Sequence, residues 1–362
     1  MSSISQYVVR HSPRQAEIVG DILKRIQSNE LPPGAGLPSV VELSRNYSAS
    51  PVTVQRAIVH LRERGYIETN TQGSSVSRQP PHLSRFGIVS PYTPHPSQFR
   101  TALEKEANHL SEVPSAHGIE RRFSFFYEVD HPDESIRRQS ELMSAIAEHL
   151  VGGLIFFGPT RNVAQIARKS AGIPCVGFFI EPVSGVSNIK LCGFEELALD
   201  RLKTAGCSRA ALITSRYHSR ATAERFMQLV RERGMTTYPR WIHGLHPASV
   251  DWGENCAQML LHGKDRPDAI IIDDDNLVPY VTAGIAASQV SVPGDLTVIA
   301  HTNFPHPTHS EVPVIRIGFD VRLLMNLAVE IIETRRRGGN VVDEVALPAC
   351  SEEESLKRTT DV

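Results

Sequence analysis

Apolar residues in the first eighty positions recur at the spacing of short helices, and beyond them the pattern changes to alternating strands and helices. Ile18, Ile22 and Ile26 stand at i, i+4 and i+8 with Leu23 beside them. They follow Ser12-Pro13, a capping residue with proline at the first helical position. Asn29 and the stretch LPPGAG (31–36) break that helix. A second helix is predicted from Pro38-Ser39, with Val40, Leu43 and Tyr47 on its buried face, and Ser48 to Pro51 turns the chain. Ser50-Pro51 opens a third helix carrying Val54, Ile58 and Leu61, capped by Gly65. Tyr66-Ile67-Glu68 and Ser75-Val76-Ser77 flank the polar tip TNTQGS, which predicts a short β-hairpin turning at Gly73.

Residues 77–84 (SRQPPHLS) are polar, lack periodicity and hold two prolines, so an extended linker is expected there. From Arg85 onward, strands are predicted at Phe86–Val89, Phe123–Tyr127, Gly153–Phe157, Cys175–Phe179, Ala210–Thr214, Ala269–Ile272 and Leu296–Ala300. Helical spacing lies between most of them, as in Phe99–Leu110 and Glu134–Leu150. Such repetition implies α/β architecture with parallel sheets covered on both faces. The length of 86–350 asks for two doubly wound lobes. The expected division is a head at 1–78, a linker at 79–85, a body at 86–350 and a tail at 351–362. Within the body, lobe one is placed at about 86–187 and 303–338, lobe two at about 188–302 and 339–350.

Composition narrows the class. The chain has 362 residues, 41% apolar and 22% charged, without biased tracts. Its N-terminus lacks the apolar run of a secretory signal, and no stretch of eighteen apolar residues exists, so a cytoplasmic protein is expected. Five scattered cysteines without a CxxC pair argue for reduced thiols rather than a disulfide framework or zinc knuckle. The net charge of −2 conceals an asymmetry. Residues 1–80 hold nine Lys/Arg against six Asp/Glu, and the remainder holds twenty-nine against thirty-four. A basic head of +3 on an acidic body of −5 fits a nucleic-acid contact confined to the N-terminus.

In the three-helix reading, the third helix has the geometry that lies in a DNA major groove. Its solvent face presents Pro51, Val52, Gln55 and Arg56. Glutamine pairs bidentately with adenine, and Val52 suits a thymine methyl group. Ser39, Ser50 and Thr53 stand at helix starts, where hydroxyls and free N–H groups suit phosphate oxygens. Three small helices and a hairpin also make a common protein-interaction module, and pattern alone leaves both open. Residues 32–77 resemble the winged-helix domain of the GntR family. The matching features are PPG before LPS, EL in helix two, S-x-x-T-V-x-R-A in helix three, and L-x-x-x-G-Y-I entering a wing with glycine at its tip. The resemblance implies DNA contacts at Ser39, from Ser50 to Arg56, and at Gly73 and Ser74 on the wing. Val41, Pro51 and Gln55 stand where many members carry arginine, so a different base sequence is expected; Arg45 and Arg56 are retained.

In the body, the informative stretch is 267–302, where a strand (AIII) ends in Asp273-Asp274-Asp275. Ligands of α/β sheets bind beyond the carboxyl ends of strands, and acidic and amide groups there suit hydroxyl-rich or amine ligands. At least one of the three aspartates is expected to serve only as a loop or helix cap. The stretch resembles the effector domain of the LacI/GalR family, as do PVIRIGFDVRLLMNLAVEIIETRRRGG (313–339), LVGGLIFFGP, AGIPCVGF and RATAERFMQLVRERG. The resemblance implies a two-lobed periplasmic-binding-protein-like fold. It makes Asp275 the cleft aspartate and Arg225 the cleft arginine, with the Ser90–Phe99 loop (Tyr92 and His95) covering the ligand. Thr302 and Asn303 replace the family's paired aspartates, and Glu353-Glu354-Ser355 stands in place of its Arg-Ser ending. Phe157, ending an apolar strand, is a candidate for stacking on a sugar ring, whereas Phe179 is assigned to the core. His301, His306 and His309 read as loop residues rather than a zinc site, and neither metal nor cofactor is expected.

The chain carries no P-loop, G-x-S-x-G, H-E-x-x-H or dinucleotide fingerprint after a strand, so an enzyme is not expected. The expectation is a ligand-responsive transcription regulator, a dimeric repressor of operator DNA switched by a small, sugar-like effector between two lobes. The alternative is a cytosolic small-molecule-binding or enzyme-like α/β protein whose winged helix docks proteins.

Overall fold

A computed structural model describes residues 12–71, 73–91, 97–115, 118–128, 141–158, 163–170, 172–215, 220–246 and 249–360. The head comprises α1 (Pro13–Gln27), α2 (Val40–Asn46), α3 (Pro51–Glu63), β1 (Ile67–Asn70) and β2 (Gly73–Val76). The predicted stripes converge on one core in which Ile18, Ile22, Ile26, Leu43, Val54, Ile58, Leu61 and Tyr66 are buried. Ser12 caps α1 by accepting from Gln15 N (3.3 Å). The hairpin is longer than expected, because pairing continues through Thr69↔Ser74 to Asn70↔Gly73. The prolines and glycines of 32–36 do more than end a helix. They run beside β2, with Gly34 N donating to Val76 O and Leu37 N to Ser74 O.

The linker is not extended. Pro81–Ser84 form a helical turn, α4, with Pro81 and Ser84 buried. Burial of its apolar groups against both neighbours offsets the solvation that an open linker would keep. His82 stacks on Tyr66 at 5.9 Å between ring centroids, and Tyr66 Oη donates to His149 O (2.5 Å). Arg64 pairs with Glu148. From the far side Arg336 donates to Leu83 O and Gly152 O (2.6 Å each), its guanidinium 4.5 Å from the centre of the Phe86 ring. Burial, aided by the Arg336 charge, pushes the His82 imidazole down to about 4, so it is neutral at physiological pH.

The body holds two six-stranded sheets. The first, in order β13-β7-β6-β5-β3-β4, joins Arg85–Pro91 (β3), Arg122–Glu128 (β4), Leu154–Phe157 (β5), Cys175–Phe178 (β6), Ser187–Cys192 (β7) and Glu344–Pro348 (β13). All its pairings are parallel. Helix α5 (Gln98–Glu112) and α12 (Val321–Arg336) cover one face; helical residues 141–147 (α6) and α7 (Val163–Lys169) cover the other. The second sheet, β14-β12-β11-β10-β8-β9, comprises Ala210–Thr214 (β8), Ile242–Gly244 (β9), Ala269–Ile272 (β10), Thr297–Phe304 (β11), Ile315–Asp320 (β12) and Cys350–Ser351 (β14). It lies between α8 (Phe194–Thr204) with α9 (Arg220–Glu232), and α10 (Gly253–Leu261) with α11 (Val278–Ala287).

The lobe boundaries differ from those expected. The chain crosses between sheets after β7, after β12 and after β13, not at 187/188, 302/303 and 338/339. Ile315–Asp320 stays in the second lobe because it pairs with β11 and buries Ile317 and Phe319 there. Only α12 carries Leu324, Met325, Ala328 and Ile332 into the first core. The expected tail is instead a helix, α13 (Glu352–Thr360). Ser355, buried, donates to Asp320 Oδ2 (3.0 Å), the carboxylate that also caps α12 and takes Arg322 Nη2 at 2.7 Å. Among the described residues no helix is long and apolar enough to cross a membrane.

Candidate functional site

On the head, α3 leaves Pro51, Val52, Gln55 and Arg56 exposed while Val54, Ala57, Ile58 and Leu61 are buried. Thr53 is half-buried, its amide donating to the capping Ser50 Oγ (3.1 Å). Arg45 is exposed on α2, Gly73 (φ 128°) on the hairpin, and Ser74 is half-buried beside it. Ser39 is engaged in an unforeseen way. Its amide and hydroxyl both donate to Glu42 Oε2 (2.8 Å), and Glu42 N returns a bond to Ser39 Oγ (3.3 Å). The S-x-x-E spacing was the available signal for this capping box. The bonds from Ser39 hold the Glu42 carboxyl below the usual range, so a phosphate at this helix start must displace a carboxylate.

Between the lobes, at the carboxyl ends of strands from both sheets, lies a cavity of about 760 Å³. Phe157, Arg225, Asp275 and Asn303 line it; Tyr92 and His95 lie outside the described residues. Thr302 does not line it. Side chains alternate along β11, so His301 and Asn303 face the cavity while Thr302 turns into the sheet, its hydroxyl donating to Ala300 O (3.4 Å). Thr302 therefore does not present its side chain to the cavity.

Asp275 is buried and accepts from Asn303 Nδ2. Burial, then the neighbouring Asp274 charge, pushes its carboxyl up to about 8. Asp274 is the capping aspartate, accepting from Ser215 Oγ and from Asn276 N and Nδ2 (2.8 Å each). Arg225 is 61% exposed and already paired, with Nη2 2.7 Å from Glu196 and Nη1 3.6 Å from Glu195. Those two glutamates open α8, where acidic residues ordinarily serve the helix dipole, so nothing marked them as cleft residues. Contacts between the lobes include Gln98 N donating to Asn276 Oδ1 (2.9 Å) and His306 Nε2 lying 2.7 Å from Glu106 Oε1. The three histidines of 301–309 do not converge. His301 packs against Phe194 and Phe319, and His309 pairs with Glu311.

Residues 14–76 match the model of bacterial regulatory proteins of the gntR family, and residues 199–352 that of a periplasmic binding protein-like domain. The chain joins a GntR-family helix-turn-helix to a periplasmic-binding-protein-like domain. It is a transcription regulator, with a DNA-binding head and a ligand-binding body. Over 96 residues (26% of this chain, 85% of that protein) it is 29% identical to a lactose operon repressor of Rhizobium radiobacter. Over 231 residues (60% and 69%) it is 22% identical to the HTH-type transcriptional repressor PurR of Aliivibrio salmonicida. Among solved structures, a LacI family regulator from Bifidobacterium animalis superposes with TM-score 0.58 at 19% identity, covering 73% of this chain and 93% of that one. A LacI regulator from Lactobacillus casei with bound Tris gives 0.54 at 18%, covering 73% and 94%, and the same regulator has been seen with bound sucrose. At such identities the superpositions speak for the fold of the body.

Proposed function

We propose that this regulator is a cytoplasmic homodimeric repressor, acting by binding rather than catalysis, and that a small hydroxylated effector in the cleft changes its grip on operator DNA. The observation that carries the reading is the cleft itself: Asp275 and Asn303, both buried, are held on a cavity between lobes that three chain crossovers connect. The sucrose-bound neighbour supports a hydroxylated ligand. The head at 1–78 reads DNA through Val52, Gln55 and Arg56 in the major groove. Arg45, Ser50, Pro51 and Thr53 lie along the phosphates, with Gly73 and Ser74 at the wing. Half-sites on DNA are fixed at about 34–36 Å or multiples of it, so rotating two heads apart removes phosphate contacts. A gel shift with the chain's own upstream DNA gives a discrete complex that a cleft ligand weakens. Binding no tighter than to random DNA refutes the reading.

A further inference from the structure

Among the described residues, the cleft wall built by the second lobe offers few free side-chain donors beside Asp275. Ser215 Oγ, Asn276 Nδ2 and Asn303 Nδ2 all donate to Asp274 or Asp275. What remains, once Asp275 gives up its proton, is acceptor: the two carboxylates and Asn303 Oδ1, buried in a residue 1% exposed and without a hydrogen-bond partner among the described residues. Arg225, the cation nearest in role, is held by Glu196 and Glu195. The other described cations on the cavity, Arg100 and Lys190, belong to the first lobe, and Arg100 Nε lies 3.6 Å from Glu104. A hydroxyl brings one donor and two lone pairs to such a wall, whereas an ammonium brings three donors and no acceptor.

We infer that the effector is a hydroxylated amine whose ammonium group seats between Asp274, Asp275 and Asn303 Oδ1. This rests on the cleft being the effector site and specifies the ligand's chemical class. The titration of Asp275 agrees with it. Among the described residues, the titratable and charged groups around it are Asp273 and Asp274 on its own strand end, His301 from β11, Glu195 and Glu196 from α8, Arg225 from α9, and Arg100 and Lys190 across the cavity. Burial beside Asp274 keeps the empty site protonated up to about 8. An ammonium supplies the missing countercharge, so binding releases a proton from Asp275 into solution. Affinity for an amine therefore rises with pH toward 8, and affinity for a neutral polyol does not.

Isothermal titration of the full chain with matched probes tests this: 1-amino-1-deoxysorbitol against sorbitol, and glucosamine against glucose. The amino member is expected to bind about tenfold to a hundredfold more tightly, the worth of one hydrogen bond between charged groups. Its margin should grow between pH 6 and 8 for aminosorbitol, whose amine stays protonated. Asp275→Asn should remove the margin and its pH dependence, and Asp274→Asn, which keeps one capping oxygen, should shrink the margin in the same direction. Neutral members binding as tightly as their amines overturns the amine inference and leaves the effector site standing. If neither class binds, both fall.

Discussion

The DNA-facing surface and the ligand cleft place their polar groups in opposite ways. On the head, Val52, Gln55 and Arg56 stand in water, and their positions are set by a helix whose other face is fully buried. In the cleft, Asp275 and Asn303 are buried and held by each other across 28 residues of sequence. Exposed groups keep their ordinary chemistry and can be exchanged singly at little cost in stability. Buried groups set one another's protonation, so changing one changes the rest. The head is thus a surface tunable residue by residue, and the cleft a unit.

That contrast can be broken or sharpened experimentally. The largest effect is expected beneath the head's surface. Leu61→Ala empties a fully buried position and should cost about 2–5 kcal/mol, abolishing DNA binding while calorimetry still shows the body unfolding as a ligand-responsive transition. Next comes pH. The Asp275 carboxyl is raised in the folded state from an unfolded value near 3.8 to about 8, so its stabilisation is complete at low pH and lost as pH rises through that window. Asp275→Asn should flatten the fall in melting temperature between pH 5 and 8.5; an unchanged profile means the carboxyl ionises freely. Arg56→Ala should weaken operator binding by about 1–3 kcal/mol at an unaltered melting temperature. A shift in stability of similar size would erase the distinction between the two surfaces. The smallest effect belongs to Tyr66→Phe, which removes the bond to His149 O and should cost about 1 kcal/mol in thermal denaturation.

The head was legible because its determinants are local. The stripe Ile18, Ile22, Ile26 and the caps at Ser12 and Ser50 act within a few residues, and the structure uses them as read. Seven body strands were visible as apolar blocks. Ser187–Cys192 and Glu344–Pro348 were not, because SNIKLC and EVALP interleave polar residues and become strands through pairing with each other. The same non-locality hid the crossover after Asp320. In the cleft, Asp275 was legible from its place at a strand end, but Thr302 was misjudged by one step of β-alternation. Glu195 and Glu196 could be recognised only once α9 brought Arg225 to them.

The junction around His82 bears on how such regulators are assembled from parts. An imidazole confined between Tyr66 of the head and Arg336 of the body belongs to both modules, and Gly152 approaches so closely that a Cβ there would lie 1.9 Å from His82 O. Swapping in a foreign head at residue 78 would therefore present Gly152, His149 and Arg336 with a surface they were not shaped for. Functional chimeras should require that loop 148–152 and the end of α12 travel with the head, so the natural unit of exchange is discontinuous in sequence.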